Sequence, residues 1–67
     1  MAGDLRPYLV VYDWACGQLM SLTAMSSDDA ARVQRDEVAS AYADDASIEV
    51  SVVHAPSPDA VLNGRRR

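Results

Sequence analysis

The segment from Tyr8 to Trp14 is apolar on both faces of the strand that it predicts. Side chains along a strand point alternately to its two faces, and this segment is rich in the aromatic and β-branched residues that favour strands. One face carries Tyr8, Val10, Tyr12 and Trp14. The other face carries Leu9 and Val11. The one long helix that the sequence predicts covers only one face, so we expect a second copy of the chain to cover the other.

Length and composition indicate one small domain. The chain has 67 residues, and its apolar fraction of 49% is too high for a disordered protein. Much of that fraction is alanine and there is no Phe, so the predicted core is thin. Small domains with thin cores are marginally stable unless something supplements the core. We expect residues 7–64 to be ordered and residues 65–67 to form a flexible tail.

A hairpin is predicted after the first strand. Gly17 suits a tight turn, and a second strand is expected from Gln18 to Met25. A two-residue loop would pair Leu9 and Val11 with Ala24 and Leu22. A three-residue loop would instead place Tyr8, Val10 and Tyr12 on the face of Met20 and Leu22. Both registers remain open, and each leaves one apolar face of the first strand without a helix.

A helix is predicted from Asp28 to Ala43. Ser26 and Ser27 are suitable N-caps, and Asp28 and Asp29 lie where the helix dipole favours negative charge. At a helical period, one side of the helix is lined by Ala30, Ala31, Gln34, Val38, Ala41 and Tyr42. These side chains are mostly small, so the helix is expected to lie close to the sheet and to bury little apolar surface.

The remaining pattern predicts a third strand and a short helical turn. Ile48, Val50 and Val52 alternate with polar residues, and Pro56 ends the strand. Ser57 can cap a turn of helix that Asn63-Gly64 would stop. A right-handed crossover from strand two to a parallel strand three gives sheet order 2-1-3. The predicted fold is therefore α+β, a ββαβ arrangement with one long helix on one face of a three-stranded sheet.

Charge and cysteine content restrict the partners and the compartment. The net charge is −4, and three of the six Arg residues lie at positions 65–67. An acidic body is repelled by nucleic acid and by anionic membranes, so we expect neither as a partner. Residues 1–7 contain no apolar signal segment, and a single cysteine fits a reducing compartment. We expect a cytoplasmic protein.

No catalytic, cofactor or metal site is predicted. His54 is the only histidine, and Ser51, Cys16 and Asp13 could in principle complete a triad, but no motif surrounds any of them. Cys16 lies in the predicted turn without a neighbouring cation to activate its thiol. Cys16 and His54 together fall short of a zinc site. We therefore expect that the protein is not an enzyme.

Acidic pairs recur at Asp28-Asp29, Asp36-Glu37 and Asp44-Asp45, eight residues apart. Because a helix has 3.6 residues per turn, these pairs wind around it and form no single metal-binding face. Arg32 and Arg35 lie between these pairs, and spacings of three and four residues allow ion pairs with Asp28, Asp29 and Asp36. A salt-bridged, solvated face is the interpretation that this spacing favours, and mimicry of DNA by carboxylates is the alternative.

The first 30 residues carry a resemblance. The stretch Tyr-Leu-Val-Val-Tyr-Asp-Trp at 8–14, the turn at Gly17 and the Ser-Ser-Asp-Asp-Ala segment at 26–30 resemble the opening of small uncharacterised proteins of actinobacteria and their phages. Members usually have more glycine at the turn. The resemblance implies no activity, but it is consistent with a phage or host accessory protein that acts by contact.

The function predicted from the sequence is a small, non-enzymatic interaction module. We expect it to form a homodimer through the sheet face of Tyr8, Val10, Tyr12 and Trp14, with a host protein as a possible further partner. The alternative is an acidic DNA mimic or a regulator related to nucleic acid.

Overall fold

The computed structural model describes residues 5–65, except for the side chain of Arg65. It contains three strands and two helices: β1 (Arg6–Asp13), β2 (Gln18–Ala24), α1 (Asp28–Ala41), β3 (Ile48–Ala55) and α2 (Pro58–Arg65). The sheet order is β2-β1-β3, which confirms the predicted α+β fold with the first strand in the centre. The helix α2 continues past Asn63-Gly64 to Arg65, so the predicted stop is wrong. Arg66 and Arg67, in the predicted flexible tail, lie outside the described residues.

The strand β1 forms antiparallel ladders with both neighbours. Its pairing with β3 is regular, from Arg6 opposite Ala55 to Asp13 opposite Ile48. The two outer strands therefore run parallel to each other, joined by the crossover through α1 as predicted. A central strand is buried on both faces, and this explains why β1, unlike the two outer strands, has a continuous run of apolar residues.

The pairing of β1 with β2 contains a bulge that the two predicted registers did not include. Val10 lies opposite Leu22, as the three-residue loop requires, but Tyr12 lies opposite Leu19. Met20 is the extra residue on β2 between these pairs. The bulge keeps Leu19 on the same face as Tyr12, and Met20 is exposed.

The helix α1 covers the face of β1 that carries Leu9 and Val11. The Ser27 hydroxyl accepts a hydrogen bond from the Ala30 N–H at 3.1 Å, which caps the first turn as predicted. Ala31 is completely buried, whereas Ala41, expected on the buried side, is exposed. The helix ends two residues before the predicted Ala43. The small side chains allow close packing with little buried area, as the sequence indicated.

The second face of β1 is covered at one end by α2. Val61 of α2 is buried in one cluster with Tyr8, Val10 and Ala55. The expectation that nothing in the chain covers this face is therefore wrong for Tyr8 and Val10. The buried side of α2 was not predicted from the sequence. Its residues, among them Pro58, Ala60 and Val61, form a helix of only eight residues, which is too short to show a helical periodicity.

Candidate interaction surface at the hairpin end of the sheet

The four predicted interface residues differ in their burial. Tyr8 and Val10 are buried within the chain, Tyr12 is half-buried, and Trp14 is 60% exposed. The face that they share is thus closed by α2 at one end and open at the end where the β1–β2 hairpin lies. We call Tyr12, Trp14 and the adjoining Leu19 the hairpin-end surface.

Trp14 is held in place although its ring is exposed. Its backbone N–H donates to the Ser47 carbonyl at 3.1 Å, and its indole Nε1 donates to the Ala46 carbonyl at 3.1 Å. The first bond extends the β1–β3 ladder by one residue, and the second fixes the ring against the segment that enters β3. The indole is therefore presented to solvent in a defined orientation.

The segment that accepts these bonds has its own internal support. The Asp45 carboxylate accepts hydrogen bonds from the Ser47 hydroxyl at 2.6 Å and from the Ser47 N–H at 3.0 Å. These two bonds stabilise the ionised carboxylate and lower the pKa of Asp45 below its usual value. The Asp45 N–H in turn donates to the Tyr42 carbonyl at the end of α1. A chain of local hydrogen bonds thus links α1 to the position of the Trp14 indole.

Tyr12 and Leu19 form the inner part of the hairpin-end surface. Both are half-buried and pack against the core cluster under α2. Gly17 adopts a positive φ of 67°, and the Tyr12 hydroxyl lies 4.0 Å from the position where a Cβ on Gly17 would be. The Tyr12 ring therefore extends along the sheet toward the turn. Met20 adds an exposed side chain to the same hairpin, 47% accessible.

Cys16 lies in the hairpin turn, as predicted, and its side chain is exposed. A hydrogen bond from its thiol to Asp13, with the negative charges of Asp13 and Asp45, raises the pKa of Cys16 above its usual value. A raised pKa leaves the thiol protonated at neutral pH, when it is a poor nucleophile. The environment of Cys16 is opposite to the one that nucleophilic catalysis requires.

His54 lies at the other end of the sheet from Cys16. It pairs with Pro7 in the ladder, whereas Cys16 follows Asp13 in the hairpin. Its Nε2 is 2.6 Å from the Asp28 carboxylate at the start of α1. Ser51 is on the opposite face of β3, and Asp13 lies opposite Ile48 at the other end of the ladder, so none of the three triad partners considered from the sequence meets His54. In the described part of the chain, no group of three or more His, Cys, Asp or Glu residues could hold a metal ion.

The acidic residues of α1 are partly neutralised by arginine. Arg32 binds Asp29 at 2.6 Å, at the predicted spacing of three residues. Arg35 binds its neighbour Asp36 at 3.1 Å, a pairing that the helical spacing did not predict. The helix therefore has a solvated, salt-bridged surface.

Two of the contacts described above could not be predicted from the sequence. The Trp14 indole bond and the His54–Asp28 contact join residues separated by 32 and 26 positions. Such pairs come together only through the crossover connection, so no local motif marks them.

We found no significant match to the chain among protein-family models, curated proteins or solved structures. Within residues 5–65, no helix has the length and apolar character needed to cross a membrane.

Proposed function

We propose that this protein is a small, non-enzymatic interaction module that self-associates through the hairpin-end surface. The observation that carries the proposal is Trp14, which is 60% exposed and yet held by two hydrogen bonds. A large aromatic ring in a fixed orientation loses little conformational freedom when it binds. Tryptophan is also among the residues that contribute most to binding at protein interfaces.

The surroundings of Trp14 favour a protein surface as its partner. Tyr12 and Leu19 are half-buried beside the core cluster and lie opposite each other in the ladder, with Tyr12 two positions before Trp14. Asp13 and Asp45 lie near Cys16 in the adjoining turn. These carboxylates, with the net charge of −4, oppose the approach of nucleic acid. An apolar centre with a polar margin is the usual composition of a protein–protein interface.

A second copy of the chain is the simplest partner. In a two-fold dimer, the same surface serves both subunits. Trp14 of each subunit would then contact Tyr12 and Leu19 of the other, so that each apolar group finds an apolar group opposite. The acidic margins would remain at the periphery, where water and salt screen their repulsion.

Substitution of Trp14 tests the proposal directly. Trp14→Ser removes the aromatic ring, and we expect the dissociation constant of the dimer to rise roughly 30-fold or more, because truncation of such an anchor costs about 2 kcal/mol. Val33→Ser is the matched control, since Val33 on α1 is also 60% exposed but lies away from this surface. Sedimentation equilibrium measures both variants. Equal association of the two variants would contradict the proposal.

The weaker alternative is an acidic DNA mimic. It requires a dense, unpaired array of carboxylates, whereas Arg32 and Arg35 are bound to Asp29 and Asp36. The resemblance of residues 8–30 to small proteins of actinobacteria and their phages supports an accessory role by contact, with a host protein as a further possible partner. Titration with a basic DNA-binding protein separates the alternatives, because only the mimic would bind it in a salt-sensitive manner.

A further inference from the structure

The strand β3 forms one edge of the sheet, and its hydrogen-bonding direction can be assigned. The Trp14 N–H donates to the Ser47 carbonyl, so this pair is a hydrogen-bonded pair of the antiparallel ladder. Hydrogen-bonded pairs recur at every second position. Glu49, Ser51 and Val53 therefore bond to β1, and the backbone groups of Val50 and Val52 point away from the sheet. The position of Pro7, which has no N–H, opposite His54 agrees with this assignment.

The two edges of the sheet differ in how far they are protected. On one edge, the Met20 bulge interrupts β2 and distorts its outer row of backbone groups. On the other, β3 is paired regularly over its eight residues, with no Pro and no bulge within it. Its sequence from 50 to 53, Val-Ser-Val-Val, also favours strand pairing. An edge of this kind accepts an additional strand readily.

The outer side of β3 is open within the described chain. Among residues 5–65, the outward N–H groups of Val50 and Val52 have no backbone partner outside their own strand. The side chains of both residues are half-buried on the face covered by α1. The outward backbone groups of Val50 and Val52 can therefore pair with a further strand while the side chains of both residues stay in place.

We propose that β3 pairs with β3 of a second copy, antiparallel, about a two-fold axis at Ser51. A symmetric ladder must place outward-pointing residues opposite each other. The axis at Ser51 pairs four such positions of each strand, 48, 50, 52 and 54, whereas an axis at Val52 pairs three over an overlap of equal length. The Ile48 N–H already donates to the Asp45 carbonyl, so position 48 contributes only its own carbonyl. Val50 then lies opposite the partner's Val52. Glu49 lies opposite the partner's Val53, so no like charges meet. The two three-stranded sheets become one continuous sheet.

This pairing uses a different surface from the hairpin-end surface and goes beyond the proposed function. The hairpin-end surface is a side-chain interface on one face of the sheet, whereas the β3 edge binds through backbone groups in the plane of the sheet. The two can operate together, and their contributions are separable by substitution. The self-complementary register of β3 is the reason for choosing a second copy over an unrelated peptide.

Proline substitution at an outward-pointing residue tests whether the β3 edge pairs with another strand. Val52→Pro removes an N–H that does not bond to β1 and places the proline ring where the added strand would lie, a position that edge strands tolerate. Ala24→Pro is the matched control on the opposite edge, since its N–H also points away from β1: the flanking Met25 N–H bonds to Pro7. Both changes are made in the Trp14→Ser chain, which lacks the hairpin-end anchor.

We expect the Trp14→Ser chain to sediment as a dimer at roughly 100 µM. With Val52→Pro added, it should sediment as a monomer, whereas with Ala24→Pro it should remain a dimer. A Trp14→Ser chain that is already monomeric at this concentration would overturn the edge proposal. If Val52→Pro alone dissociates the native chain while Trp14→Ser has no effect, the hairpin-end surface fails and the edge stands.

Amide hydrogen exchange in the unmodified chain provides a test that does not depend on the folding of a variant. The Val50 and Val52 amides should exchange more slowly as the protein concentration rises, because only the paired state protects them. The Ala24 amide on the other edge should show no such dependence. Exchange at Val50 and Val52 that is fast and independent of concentration would also overturn the proposal.

Discussion

At the scale of single residues, Gly17 fixes the hairpin from which Trp14 and Tyr12 are presented. Its φ of 67° lies in the left-handed region, where a side chain is disfavoured. Gly64 in α2 has no positive φ, and a Cβ added there would meet nothing within 4 Å. The two glycines therefore respond to alanine in opposite directions.

Gly17→Ala should lower the free energy of unfolding by about 1 kcal/mol, because alanine must adopt a strained backbone conformation. Gly64→Ala should raise it by up to about 0.5 kcal/mol, since alanine favours a helix more than glycine does. Urea denaturation at one fixed protein concentration measures both changes. A Gly17→Ala chain as stable as the native one would show that the turn is not restricted to a left-handed residue.

At the scale of secondary-structure elements, α2 decides which part of the central strand remains open. Val61 is 2% exposed and contacts the cluster of Tyr8, Val10 and Ala55. If α2 supplies the second layer of the core, Val61 should account for much of the stability that α2 contributes, because it is the one fully buried side chain of α2 within the described residues.

Val61→Ala should reduce the free energy of unfolding by about 2 kcal/mol, from lost burial and the cavity left behind. Val33→Ala, the same change at an exposed position of α1, should leave stability unchanged or slightly higher. Thermal or urea unfolding followed by circular dichroism compares the two. Equal effects of both substitutions would mean that α2 does not pack on the sheet as described.

The sequence predicted the elements better than it predicted their contacts. The apolar run at 8–14, the Ser27 cap and the alternation from Ile48 each depend on local physics, so the strands, the long helix and the sheet order were correctly predicted. The Met20 bulge was missed because loop length alone defined the two registers considered.

The sequence also did not predict how much of the apolar face of β1 stays exposed. Burial of Tyr8 and Val10 depends on where α2 packs, and the apolar pair Val61-Leu62 after Pro58 was the only local indication that this segment adds to the core. The fixed orientation of Trp14 depends on a hydrogen bond to Ala46, in the segment that enters β3. The predicted interface therefore combined residues that the fold buries with residues that it exposes.

At the scale of the whole molecule, the distribution of buried side chains explains why association is expected. Within residues 5–65, the buried apolar residues are four from β1 together with Ala31, Ala55 and Val61. Each helix contributes one of these seven, Ala31 from α1 and Val61 from α2, so each helix buries little apolar area. A domain of 67 residues with so small a core gains stability from any partner that covers its remaining apolar surface.

Self-association of the unmodified chain is the central claim, and sedimentation equilibrium across the micromolar range tests it most directly. Two surfaces are available for pairing, the hairpin-end surface around Trp14 and the outer edge of β3. We therefore expect a weight-average mass that rises with concentration above 7.2 kDa toward twice that value or more. A single species of 7.2 kDa over the whole range would contradict the account.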